Sequence, residues 1–296
     1  MGTSNGNRGQ DGRTPLIPSW LTPAPLPTSS PAPPQPPPNP PADDNTPPPP
    51  QGVPTPPSFP LLPALAAVDR FIAARNNFSR FVSSGGNDRT SLGRSLSHYV
   101  STSSGGATTA AQRMGSSRTT GAQLLNFLSG TVANGQQATL RVFNLQRLAG
   151  KQIEEVFVGL IDYLCPEGGS LDEGIAREAF VETIVDLAES GVTELDNLTF
   201  EQMQTIFELY AAHAIEARLC NDIGAKAITM PTDAARAAVV QKQLLDFIRR
   251  SVSDALTKAR DAITTLTPEN VLRFVTQIYE SAFSILRTLA EAEASA

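Results

Sequence analysis

The chain has 296 residues, 25 prolines and a net charge of −6, but neither proline nor charge is spread evenly. Twenty-two prolines lie within residues 1–63, with one Trp and one Phe, which excludes helix and central strand there and leaves too little apolar mass to offset ordering. The remaining 233 residues are ample for a stable core.

The charge divides along the chain. Residues 64–150 carry nine Arg and two Asp, net +7, whereas residues 151–296 carry 12 basic and 24 acidic groups, net −12. Mutual attraction of the two blocks is the simplest expectation, and contact of the basic block with nucleic acid is the alternative. Two cysteines, Cys165 and Cys220, and two histidines, His98 and His213, offer no disulfide framework and no metal-ligand spacing, so no metal and no cofactor is expected. No apolar run has the length of a membrane span and no secretory leader is visible, so the expectation is a soluble, cytoplasmic protein in a reducing compartment.

In chain order, residues 1–21 form a Gly-rich tip ending in an apolar patch, Leu16, Ile17, Trp20 and Leu21. Residues 22–62 read as a disordered, Pro-rich spacer. At about 3.1 Å per residue in polyproline II it reaches on the order of 100 Å. Helical periodicity begins at Pro63 with Leu65, Val68, Phe71, Phe78 and Phe81, and Ser83–Asp88 closes that helix. Leu92, Leu96, Tyr99 and Val100 predict a second helix. Ala107–Met114 and Ser117–Leu128 predict two more. Residues 63–150 thus form a basic helical region.

The acidic region, 151–296, is more strongly patterned. Ile153, Val156, Phe157, Leu160, Ile161 and Leu164 make one stripe, ended by Pro166. Ser170 with Glu173, and Thr199 with Gln202, are capping boxes, and Gly191 is a stop signal. A long helix is expected over 232–265, and Thr267-Pro268 is expected to open the last one with Pro268 at its first position. The fold class is all-α, about nine or ten helices after a disordered tail, with 63–296 as one domain.

No phosphate loop, dinucleotide fingerprint, nucleophile elbow or zincin motif is present. His213 and Cys220 stand two helical turns apart, too far for direct hydrogen bonding, and read as ordinary helix residues. Asp172, Glu173, Glu178, Glu182 and Asp186 read as a dipole-favoured first turn followed by a solvated face. No catalytic residue is expected. The small, basic Gly105–Arg118 stretch is a candidate nucleic-acid or partner contact through Arg113 and Arg118, together with Arg94.

Four segments carry a resemblance: MGTSN with TPLIPSWL (14–21), SLGRSLSHYV (91–100), AAQRMGSSR (110–118) and LCPEGGSLDEGIAREAF (164–180). Together they resemble the QatB family of the bacterial Qat anti-phage defence system. The resemblance implies three partners: a P-loop-type ATPase, a QueC-like enzyme and a TatD-like nuclease. It does not imply that this chain is itself an enzyme. QueC-type chemistry activates a deazaguanine carboxylate with ATP and passes it to an amine. The resemblance therefore implies a role for the tail, with Gly2 as acceptor after Met1 removal, and with Thr3, Ser4 and Trp20 read beside it. An α-amine pKa of about 7.7–8.0 leaves Gly2 partly neutral near pH 7.

Overall fold

Ile153, Val156, Phe157, Leu160 and Leu164 are all buried on one face of a 12-residue helix, so the expected stripe is the face that packs inward. That helix belongs to a computed structural model which describes residues 70–165, 169–190, 195–224, 228, 231–263 and 266–296. Among these residues there are eleven α-helices and no strand. All of them fall within one unit, Pro60–Ala296. The tip (1–21), the spacer (22–62) and the residues Gly2, Thr3, Ser4 and Trp20 lie outside the described residues.

The helices are α1 (Ile72–Ser83), α2 (Arg89–His98), α3 (Ala107–Gln112), α4 (Ser116–Asn134), α5 (Gln136–Val142), α6 (Ile153–Leu164), α7 (Leu171–Ser190), α8 (Phe200–Ile223), α9 (Ala234–Lys258), α10 (Arg260–Ile263) and α11 (Val271–Ser295). One π-helical turn, Tyr99–Ser103, extends α2, and a 3₁₀ turn spans Gln146–Leu148. Local chemistry sets several boundaries. Asp88 caps α2 by accepting from the Ser91 amide at 2.9 Å and its hydroxyl at 2.6 Å. Both expected capping boxes form: Ser170 and Glu173 exchange bonds of 3.1 and 3.2 Å, and Thr199 and Gln202 bonds of 2.9 and 3.2 Å.

Two helices act as hubs. α8 is buried all round in its middle, from Leu209 to Ile215, with Met203, Phe207 and Leu219 buried on either side, and it packs on α4, α7 and α9. α11 packs on α2, α3, α4 and α9. The basic and acidic blocks therefore interleave, with α2 on α11 and α4 on α8. Aromatic rings bridge α6, α7 and α8: Phe157 stacks on Phe180 at 5.6 Å, and Phe180 meets Tyr210 edge-on at 6.2 Å.

Two boundaries differ from expectation. The long helix expected over 232–265 ends at Lys258; Ala259 leaves helical geometry (φ −102, ψ 12) and the short α10 follows. Pro268 is not the first residue of α11. It sits in a turn closed by the Asn270 amide on the Thr267 carbonyl (3.0 Å) and by the Thr267 amide on the Asn270 side chain (2.9 Å), so the helix begins three residues later. α5 and the 3₁₀ turn fall in a polar stretch without clear periodicity, which hides them from sequence.

Candidate functional site

The three arginines singled out by sequence occupy three different settings. Arg94 is exposed on α2. Its neighbour Gly93 touches the backbone of Ala290 near the far end of α11, whereas Arg118 shares a pocket with Arg273 near the start of that helix. At 1.5 Å per residue, about 25 Å of helix separates these two contacts. Arg113 is half-buried and engaged inside the fold. Arg94, Arg113 and Arg118 do not form one patch.

Arg113 belongs to a charged junction between the two blocks. Its Nη2 donates to Asp222 Oδ2 at 2.8 Å, and the Tyr99 hydroxyl donates to the same oxygen at 3.0 Å. Arg218 Nη2 donates to Asp172 Oδ1 at 2.5 Å and also to the Arg113 carbonyl. Arg218 and Asp222 side chains are each 7% exposed. Burial, then the Asp222 charge and hydrogen bond, push the Tyr99 phenol far above its ordinary range, so it remains a donor. The turn before α4 must approach closely: Gly115 has φ +48, and a Cβ there would lie 2.1 Å from Asp172 Oδ2. Thus Asp172, read from sequence as a dipole-favoured first-turn residue, also holds Arg218.

The acidic face of α7 is the second feature. Glu178, Glu182, Asp186 and Glu189 line a groove of about 680 Å³, facing His213, Glu216 and Cys220 of α8 and Gln241, Lys242 and Leu245 of α9. Lys242 is paired with Asp246 at 3.4 Å. His213 is 5% exposed; its Nε2 lies 3.0 Å from Asp186 and its Nδ1 3.5 Å from Glu216. Burial pulls its pKa down, but the hydrogen bonds and charges of Glu216 and Asp186 outweigh that, and the net direction is upward. Burial, with Glu216 and Glu178 adding to it, pushes the Cys220 thiol up to about 12, so it stays protonated and unreactive near neutrality. Among the described residues no group of three or more His, Cys, Asp or Glu could hold a metal ion. No helix among them is long and apolar enough to cross a membrane.

By sequence spacing alone, His213 and the α7 carboxylates fall on separate ordinary helix faces. One signal pointed to more. Glu178, Glu182 and Asp186 follow one another at i, i+4 spacing, where like charges repel on an isolated helix. A cationic surface lying along them would relieve that repulsion.

A family model described as Qat anti-phage system associated protein QatB matches residues 105–286. The chain belongs to the QatB family. It is thereby a component of an anti-phage defence system. No curated protein and no solved structure matches it. The QatB-matched segment contains Arg113, Gly115, Asp172, Arg218 and Asp222 of the junction and every residue lining the groove. Tyr99, Arg94 and the tail fall outside it.

The His213 geometry sets a pH dependence. A titration of its ring protons by NMR should give a midpoint above the ordinary value of about 6.5. Because the folded value exceeds the unfolded one, the stabilisation is complete below about pH 6.5 and is lost as pH rises through the folded value. His213→Gln should therefore reduce stability more in mild acid than in mild base. An equal loss at both would show that protonation contributes nothing.

Proposed function

We propose that the chain is a non-enzymatic assembly subunit of the Qat anti-phage complex, cytoplasmic, whose helical body docks a partner through the acidic α7–α8–α9 groove. The observation that carries this reading is the groove itself: five carboxylates, Glu178, Glu182, Asp186, Glu189 and Glu216, face one shared opening within the QatB-matched segment. A basic segment of a partner fits that surface by charge. The P-loop-type ATPase and the TatD-like nuclease are the candidates for this contact.

The tail has a separate role in this reading. The QueC-like partner binds residues 1–21 and joins its ATP-activated deazaguanine carboxylate to the Gly2 amine. An amide bond forms, the activating nucleotide group leaves, and the amine loses a proton. Thr3, Ser4 and Trp20 are read beside the acceptor. Support comes from the family and from the small, unbranched Gly2 at the end of a long Pro-rich reach.

Two measurements test the reading. Intact mass after co-expression with the partners should rise by the deazaguanine acid less one water, and an unmodified Gly2 after active co-expression overturns the acceptor role. Pull-downs should lose the QueC-like partner when the chain starts near Pro63, and should lose the ATPase or nuclease when Glu178, Glu182 and Glu189 are changed to Gln. Retention of all partners in both cases overturns the assembly role. The alternative, DNA binding through the Arg-rich 64–150 region, has less support because Arg113 is engaged with Asp222 and Arg94 stands far from Arg118. It predicts DNA affinity falling steeply with salt.

A further inference from the structure

Several arginines that contact the helical body meet an acceptor. Arg75 donates to the Ile223 carbonyl at 2.6 Å, Arg113 to Asp222 at 2.8 Å, and Arg218 to Asp172 at 2.5 Å. Arg118 on α4 and Arg273 on α11 differ. Among the described residues neither guanidinium has an ion pair or a hydrogen bond, and both line one pocket of about 350 Å³ together with Thr119, Glu269, Leu272 and Thr276.

Arg118 is half-buried, and its Nε is sealed from solvent with no acceptor. A guanidinium cannot shed its proton, so that charge stays partly desolvated and unpaired, an arrangement that costs free energy unless something supplies an anion. The charge is felt locally: burial raises the Tyr279 phenol, and Arg118 opposes that rise. Arg273 is exposed and enters the pocket from the second helix. The Thr119 side chain is exposed beside them, while the Thr276 hydroxyl already donates to the Leu272 carbonyl at 2.8 Å. Glu269 is the opposing charge. Its carboxyl is held below the ordinary range by hydrogen bonds from Thr267 and from its own backbone amide, so it is ionised near neutrality.

We propose that this pocket binds a small phosphate-bearing ligand, its phosphate gripped between the guanidinium forks of Arg118 and Arg273, with Thr119 donating at the rim. Two forks from two helices suit the several oxygens of one phosphate better than a single carboxylate does. The volume lies at the lower end of small-ligand sites, about 300–1,000 Å³. Glu269 limits how much negative charge the pocket accepts, which sets a preference among phosphates.

Calorimetric titration of the full chain with pyrophosphate, adenosine monophosphate and a short DNA strand tests this. Pyrophosphate or the nucleotide should bind, and Arg273→Gln and Arg118→Gln should each weaken binding about tenfold or more, the loss of one charge-assisted contact. Glu269→Gln should tighten binding several-fold, a gain that damage to the fold would not produce. Arg273 is exposed, so its variant reads the site without disturbing the core. Three results would each overturn the proposal: no heat from pyrophosphate or nucleotide at millimolar concentration, binding unchanged by Arg273→Gln, or tighter binding of the DNA strand through the same arginines. The last would assign the site to nucleic acid.

Discussion

Changing Asp222 to alanine should lower the free energy of unfolding by about 3–5 kcal/mol, the usual cost of removing one partner from a buried ion pair. The carboxylate accepts from Tyr99 at 3.0 Å and from Arg113 at 2.8 Å, and its other oxygen lies 4.0 Å from Arg218. Alanine leaves a buried phenol and Arg113 without their acceptor, and neither group can escape by changing its protonation near neutral pH. Urea denaturation checks this: the midpoint should fall with little change in slope. A further Arg113→Met change should recover part of the loss, because it removes a charge that no longer has a partner. A cost below about 1 kcal/mol would mean that the junction behaves like a solvent-exposed pair.

The second large effect comes from a missing side chain. A Cβ at Gly93 would lie 2.6 Å from the Ala290 carbonyl oxygen and 2.7 Å from the Ala294 amide nitrogen. Both are backbone atoms of α11 and cannot rotate away, so Gly93→Ala must push α2 off its neighbour. The expected cost is about 3 kcal/mol, the upper part of the range for overpacking. Gly174, inside α7, is the contrasting case. Nothing lies within 4 Å of its added Cβ, and Gly174→Ala should stabilise by about 0.5–1 kcal/mol through helix propensity alone. Thermal unfolding of the two variants should therefore move in opposite directions. A neutral Gly93→Ala would mean that the close approach of α2 to α11 is not required.

Much of the helical layout was legible because its signals are local. The stripe from Ile153 to Leu164, the Ser170–Glu173 and Thr199–Gln202 boxes, and the break at Gly85 and Gly86 (φ +66 and +89) act within a few residues, so sequence spacing reports them directly. Pro268 shows where local reading stops. Proline tolerates the first helical turn but does not require it, and the Asn270 side chain closes a separate turn around it. The second half of α4 and all of α5, rich in Thr, Asn, Gln and Gly, have little helical pattern of their own. α4 continues because it packs against α8, α11, α7 and α5.

The candidate sites were less legible. Composition placed an excess of arginine in residues 64–150 and an excess of carboxylate beyond, and attraction between the blocks followed from charge alone. It could not say that Arg113 would meet Asp222, 109 residues away, while Arg118 would form no ion pair among the described residues and would share a pocket with Arg273. Nor could it bring Asp186 to His213.

An all-helical body behind a proline-rich tail, with its caps and amphipathic faces, follows from amino-acid order, because turns, caps and 3.6-residue periodicity are set by residues within about a turn of each other. The selection of which charges are buried together, which line an open groove and which remain unpaired depends on how α4, α7, α8, α9 and α11 cross. Packing decides that selection, since a buried charge is tolerated only where the tertiary fold supplies its partner.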